Sequence, residues 1–163
     1  MNYLKNWIIL GAATLFLVAA PIALSYPAKV IGVTDGDTVK VLVDGKKQVK
    51  IRLAEIDTPE KRQPWGKRAK QALSELVFGK VVDVRPVTKD RYGRTVAHLF
   101  LNSDNINLQM VITGNAWAYR RYVDDHSILD AEKKAKREGL GLWSLPATDR
   151  VPPWEWRRKK KRL

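Results

Sequence analysis

The chain has 163 residues, with 30 Lys and Arg against 17 Asp and Glu, and a formal net charge of +13 at pH 7. That length suffices for one domain with a real core, and that charge favours a polyanionic partner: nucleic acid, an anionic membrane or an anionic cell wall. With no cysteine and only two histidines, His98 and His126, a disulfide framework and a thiolate zinc site are excluded, and a zinc hydrolase centre is not expected.

Residues 1–25 read as a separate object. Lys5 is their only charge, and an apolar run from Trp7 to Leu24 follows, broken by Gly11 and Pro21. Ala23-Leu24-Ser25 offers small residues at both positions that a signal peptidase reads. The run also approaches the length that spans a bilayer. The stretch is therefore a signal peptide cut after Ser25, or a retained N-terminal membrane anchor. In either case the domain is expected outside the cytoplasm, secreted or periplasmic.

Residues 28–54 read as three strands. Val30, Ile31 and Val33 open the first, Val39, Val41 and Val43 alternate in the second, and Asp44-Gly45 signals a hairpin into the third, Val49 to Leu53. Pro64 to Gly79 reads as a helix, with Ala69, Ala72, Leu73, Leu76 and Val77 on one face. Val81–Arg85 and Arg94–Leu101 return to strand character. A short helix is expected at Leu108–Thr113, and a last one at about Ser127–Glu138 with Ser127 as candidate N-cap. Residues 146–163, rich in Pro, Trp and basic side chains, read as a poorly packed tail. Strands first and helices later predict a small α+β domain over residues 26–145, with a curled antiparallel sheet and about three helices. That pattern permits a five-stranded OB-type β-barrel.

The chemistry sits in separate short motifs. Asp35-Gly-Asp-Thr38 is a turn signal. It is not an EF-hand loop, because counting from Asp35 puts Lys40 at the glycine position and Lys46 at the bidentate glutamate position. Asp57-Thr-Pro-Glu60 follows the strand that carries Arg52, and Pro59 forces Thr58 towards extended backbone. Asp90-Arg-Tyr-Gly-Arg94 reads as a turn that brings two arginines and an aromatic together. Carboxylates from separate elements suit a hard cation. Arginines match phosphate oxygens, and a tyrosine can stack on a base.

In this order and spacing, the motifs resemble those of the thermonuclease (staphylococcal nuclease-like) family over about residues 28–145. The resemblance implies the OB-type barrel. It also implies a calcium site made by Asp37, Asp57 and the Thr58 carbonyl, and Glu60 as the acid that orients or activates water. Arg52 and Arg94 match the arginines that grip the phosphate, and Arg91 and Tyr92 those near a terminal phosphate. Tyr122 matches a base-contacting tyrosine, while Arg120 stands where another is found. The connection Lys61–Pro64 is shorter than the mobile loop of the best-known member. The implied activity is calcium-dependent, sugar-nonspecific endonucleolytic hydrolysis of DNA and RNA, leaving 3′-phosphates, by a monomer.

Two rivals remain open: a non-catalytic nucleic-acid-binding module on the same barrel, and a surface adhesion protein whose leader and basic tail are its function. The run Arg157-Arg-Lys-Lys-Lys-Arg162 fits phosphate contact first, then an anionic membrane or cell wall, then an inert solvated stretch.

Overall fold

The computed structural model describes residues 24–160, so the leader assigned to residues 1–25 falls almost wholly outside the described residues. The elements in chain order are β1 (Tyr26–Val33), β2 (Thr38–Val43), β3 (Lys47–Leu53), β4 (Ile56–Asp57), α1 (Gly66–Val77), β5 (Val81–Lys89), β6 (Thr95–Leu101), β7 (Asp104–Asn105), α2 (Ile106–Ile112), β8 (Trp117–Ala118), α3 (His126–Glu138) and α4 (Pro153–Lys160).

Alternation along the first strands sends Val30, Val39, Val41, Ile51 and Leu53 inward, each with no exposed surface. The β2–β3 hairpin turns on Asp44 and Gly45, at φ 49° and 66°, the left-handed pair that matches strand twist in a tight hairpin. The sheet runs β3-β2-β1-β5-β6 and closes through a parallel pairing of β3 with β6. Five strands thus form a closed barrel of OB type, filled also by Val82, Val84, Ala97 and Leu99. At the seam, Arg52 lies opposite Thr38 on one side and Val96 on the other.

The helices pack around the barrel, α1 on β1, α2 on β6 and α3 on α2. α1 buries Ala69, Leu73 and Val77, as its apolar spacing predicts. It is shorter than Pro64–Gly79, because Trp65 adopts a left-handed φ of 74° and Phe78 is extended. β5 continues past Arg85 to Lys89, with a register shift between Pro86 and Thr88 that accommodates the proline. α2 starts at Ile106, with Asn105 accepting from the Leu108 amide as its N-cap. The N-cap of α3 is Asp125 rather than Ser127: its carboxylate accepts the Ser127 amide at 2.8 Å. A carboxylate at a helix N-terminus also meets the positive end of the dipole.

The tail departs most from expectation. Instead of lying loose, residues 153–160 form α4, with Pro153 buried. Gln63 Nε2 donates to the Val151 carbonyl at 2.5 Å, and the Trp154 ring stacks on Tyr119 at 5.6 Å with 1° between planes. Pro153 and Trp154, of the residue types that suggested irregular chain, are the ones that dock it.

Asn107 on α2 secures the seam. Fully buried, it accepts the Leu99 amide at 3.1 Å and donates to the carbonyls of Ala54 at 3.0 Å and Ala97 at 3.1 Å. Asn107→Ala should therefore remove partners from the buried Leu99 amide of β6 and the Ala54 carbonyl of the β3–β4 corner. Unmade buried hydrogen bonds cost about 1–3 kcal/mol each, so a loss of about 2–5 kcal/mol is expected in denaturant unfolding.

Candidate active site

The site is built where the β1–β2 turn, the β3–β4 corner and the start of α1 meet. In the turn, the Asp37 amide donates to Asp35 Oδ1 at 3.1 Å and the Asp37 carbonyl accepts the Leu53 amide at 2.8 Å. Gly36 permits the packing: a Cβ there would stand 2.8 Å from Ala69 Cβ and from Thr58 Oγ1. Asp37 is 6 % exposed and Asp57 1 % exposed. Asp37 Oδ2 accepts both the amide and the hydroxyl of Thr58 at 2.9 Å, which ties the first motif to the second.

Arg52 joins the two carboxylates. Its Nε lies 3.2 Å from Asp37 Oδ1 and its Nη2 3.0 Å from Asp57 Oδ1. Nη1 donates to the Leu53 carbonyl. Its side chain points away from the barrel interior, as the alternation requires, and lies on the carboxylates rather than in solvent.

Glu60 sits on a short, fixed connection. Its amide donates to Gln63 Oε1 at 3.0 Å, and its carbonyl accepts the Gln63 amide at 2.8 Å. Any Cβ at position 66 would overlap the Glu60 carbonyl, so a glycine must open α1 there. Beside this connection, Thr34, Asp35, Lys61, Gly66, Lys67 and Lys70 line a cleft of about 200 Å³. Arg94 arrives from the other side of the seam. Asp90 Oδ1 accepts the amides of Tyr92 and Arg94, and Asp90 Oδ2 takes Arg94 Nε at 2.7 Å. Arg94 Nη1 then reaches Thr38 Oγ1 at 3.4 Å, next to Asp37.

Asp37, Asp57, Thr58, Arg52, Arg94 and Glu60 thus converge. Arg91 and Tyr92 stand outside this set: Arg91 Nη2 donates to the Tyr92 hydroxyl at 2.7 Å, and Tyr92 is 69 % exposed. Tyr122 belongs to a separate aromatic group, edge-on to Tyr119 at 4.8 Å. Arg120 turns away to the buried Glu132, 2.7 Å distant. Trp117 packs edge-on against Trp143 at 4.4 Å, in keeping with a structural role.

Two contributors had no clear mark in the sequence. Glu55 accepts the amides of Asp124 and Asp125 through Oε1, and its carbonyl accepts the Tyr119 amide. It thereby clamps the segment that carries Tyr122. Arg157, from α4, reaches the centre: Nη2 lies 2.7 Å from Asp57 Oδ2 and Nη1 2.7 Å from Glu60 Oε1. Its only mark in the sequence was its place at the head of a basic run.

Burial is the largest influence on all three aspartates. Burial, then repulsion from Asp37, pushes the Asp35 carboxyl up to about 6. Burial raises Asp37 too, but Arg52 and the Thr58 donors outweigh it and hold that carboxyl below its ordinary value. Burial and the neighbouring Asp37 leave Asp57 raised, although Arg157 and Arg52 pull it back. Among the described residues no group of three or more Asp, Glu, His or Cys side chains is arranged to hold a metal. A cation here would rest on the Asp37 and Asp57 carboxylates with backbone and water oxygens. An all-oxygen donor set that crowds negative charge fits a hard divalent cation.

Residues 50–145 match the family model described as staphylococcal nuclease homologue. The matched stretch contains Arg52, Asp57, Glu60 and Arg94, and Asp37 precedes it. An uncharacterized endonuclease of Haemophilus influenzae is 44% identical over 133 residues, 82% of this chain and 74% of the relative. A micrococcal nuclease of Shigella flexneri is 40% identical over 162 residues, 93% of this chain and 91% of the relative. Protein ParB of Escherichia coli is 42% identical over 160 residues, 91% and 89% of the two chains. Similarity of this extent, over nearly the whole barrel and over most of the relatives' own length, means that the chain belongs to the family of staphylococcal nuclease homologues.

Proposed function

We propose that this nuclease, a hydrolase of phosphodiester bonds in nucleic acid, is a calcium-dependent, sugar-nonspecific endonuclease that cuts DNA and RNA and leaves 3′-phosphates. The observation that carries this reading is the Arg52 bridge between Asp37 and Asp57, with Glu60 and Arg94 at its margins. It works as a monomer outside the cytoplasm, a placement supported by the leader-like composition of residues 1–25.

Asp37, Asp57 and the Thr58 carbonyl would hold the calcium. When bound, the ion supplies positive charge against the phosphoryl oxygens. The protein's own groups perform the rest. Glu60 accepts a proton from water as the water oxygen attacks phosphorus. The bond from phosphorus to the 5′ oxygen breaks in line with that attack, the 5′ oxygen takes up a proton, and the phosphate stays on the 3′ side. Arg52 and Arg94 donate hydrogen bonds to the phosphoryl oxygens as charge gathers there. Arg91 and Tyr92, exposed at the rim, meet a flanking phosphate, and Tyr122 meets a base.

Glu60→Gln should lower turnover by about 10²–10⁴-fold with little change in KM. The assay is hydrolysis of linear DNA and of RNA, with calcium and with a calcium-specific chelator. Wild-type turnover in the variant would remove Glu60 from the mechanism. Cutting that continues in the chelator would remove calcium.

Arg94→Ala should lower kcat by about 10²–10³-fold, the size of one lost transition-state donor. Steady-state kinetics on the same DNA report it. A loss confined to KM would instead make Arg94 a ground-state contact.

Asp35 tests the charge balance without substrate. Its carboxyl is raised from 3.8 to about 6 in the fold. The native state therefore holds the proton more tightly than the unfolded chain, and ionisation above about pH 6 costs stability. Asp35→Asn keeps an oxygen for the Asp37 amide and removes that cost. Thermal unfolding in metal-free buffer should show a gain of about 1–3 kcal/mol above that pH, fading below about pH 4. A gain of equal size at both ends would assign the effect to packing.

A further inference from the structure

The reading above asks Asp57 to hold a cation and Glu60 to act on water, yet both carboxylates are occupied by the chain itself. Arg157 lies across them. Nη2 and Nη1 meet Asp57 Oδ2 at 2.7 Å and Oδ1 at 3.2 Å, and Nη1 meets Glu60 Oε1 at 2.7 Å. A guanidinium set two-pronged on a buried carboxylate uses the lone pairs that a divalent cation would need.

The helix that carries Arg157 is docked over the same region. Trp154 stacks flat on Tyr119 and meets Trp117 edge-on at 5.9 Å. Tyr119 in turn adjoins Tyr122. An indole lying parallel to a tyrosine occupies the kind of face on which a nucleic-acid base stacks. The side chain of Gln63, three residues after Glu60, holds the chain at Val151, just before α4. The contacts of α4 thus fall on the carboxylates and on the aromatic face beside them.

We propose that α4 is an intramolecular strap over the active site, in which Arg157 is the counter-cation of Asp57 and Glu60 and must leave before a divalent cation binds. The proposal rests on the calcium reading of Asp37 and Asp57. Its consequence is thermodynamic. A tethered competitor lowers the apparent affinity for the cation by the fraction of molecules in which the site is uncovered. The tether keeps that competitor at high local concentration however dilute the protein. Cation binding and release of α4 are then reciprocal, each favouring the other.

The test uses purified protein without substrate. The calcium dissociation constant is measured by titration calorimetry for wild type, Arg157→Gln and Trp154→Ala, with thermal melts to confirm folding. Amide hydrogen exchange in residues 153–160 is followed with and without calcium chloride. Arg157→Gln should bind calcium about 10-fold more tightly or better. Trp154→Ala, which loosens the strap and leaves every charge in place, should shift affinity in the same direction by a smaller factor. In wild type, calcium should speed exchange in α4 and leave the barrel strands protected. Equal or weaker calcium binding by Arg157→Gln, or exchange in α4 that calcium does not change, would overturn the strap and leave the calcium site standing. No calcium binding by any of the three proteins would overturn the calcium reading, and the strap with it.

Discussion

The structure depends on Arg52 holding two buried carboxylates side by side. Asp37 and Asp57 each lose most of their hydration, and the Asp37 charge adds to the cost of ionising Asp57. A single guanidinium meets one through Nε and the other through Nη2. A lysine could not span both, because its charge is a point rather than a fork. The position of Arg52 follows from barrel closure. Its backbone lies between Thr38 of β2 and Val96 of β6, where the sheet returns on itself. Closing the barrel therefore assembles the site: Asp37 precedes Thr38, Arg94 precedes β6, and Asp57 ends the corner that follows β3.

The surrounding sequence serves that junction. Gly36 and Gly66 are small where a side chain would strike Thr58 and Ala69, or the Glu60 carbonyl. Asn107 ties backbone groups of Ala54, Ala97 and Leu99 together directly behind the seam. Glu55 spends a carboxylate on two backbone amides to hold the aromatic segment in place. These residues lie outside the set of converging carboxylates and arginines. They fix the relative positions of three motifs far apart in sequence, and catalytic geometry tolerates little displacement.

Much of this was legible because the relevant signals are local. Period-two valines marked β2, Asp44-Gly45 marked the hairpin, and helical spacing of Ala69, Leu73 and Val77 marked α1. The carboxylate and arginine motifs lie at strand ends and turns, where short sequences specify backbone shape. What was hidden is what depends on tertiary placement. Asp125 and Ser127 are both good capping residues, and only the path of the preceding loop decides between them. Pro86 would end a central strand on its own, but a register shift lets β5 pass through it. Glu55 lies between an alanine and an isoleucine with no motif around it, and its role appears only once residues 119–125 fold back on it.

Arg157 shows the same limit most sharply. As one of six consecutive basic residues it resembles its neighbours, and composition assigns the whole run one role in binding polyanions. In the fold the run is divided. Arg157 is turned inward onto Asp57 and Glu60, whereas Arg158 and Lys159 remain exposed. What separates them is Trp154, one helical turn earlier, whose stacking on Tyr119 sets which face of α4 meets the barrel. An aromatic at that spacing converts one member of a solvated charge run into an internal ion pair. The six-residue basic run therefore offers an approaching polyanion less charge than its count suggests. Part of it already neutralises the site's own carboxylates.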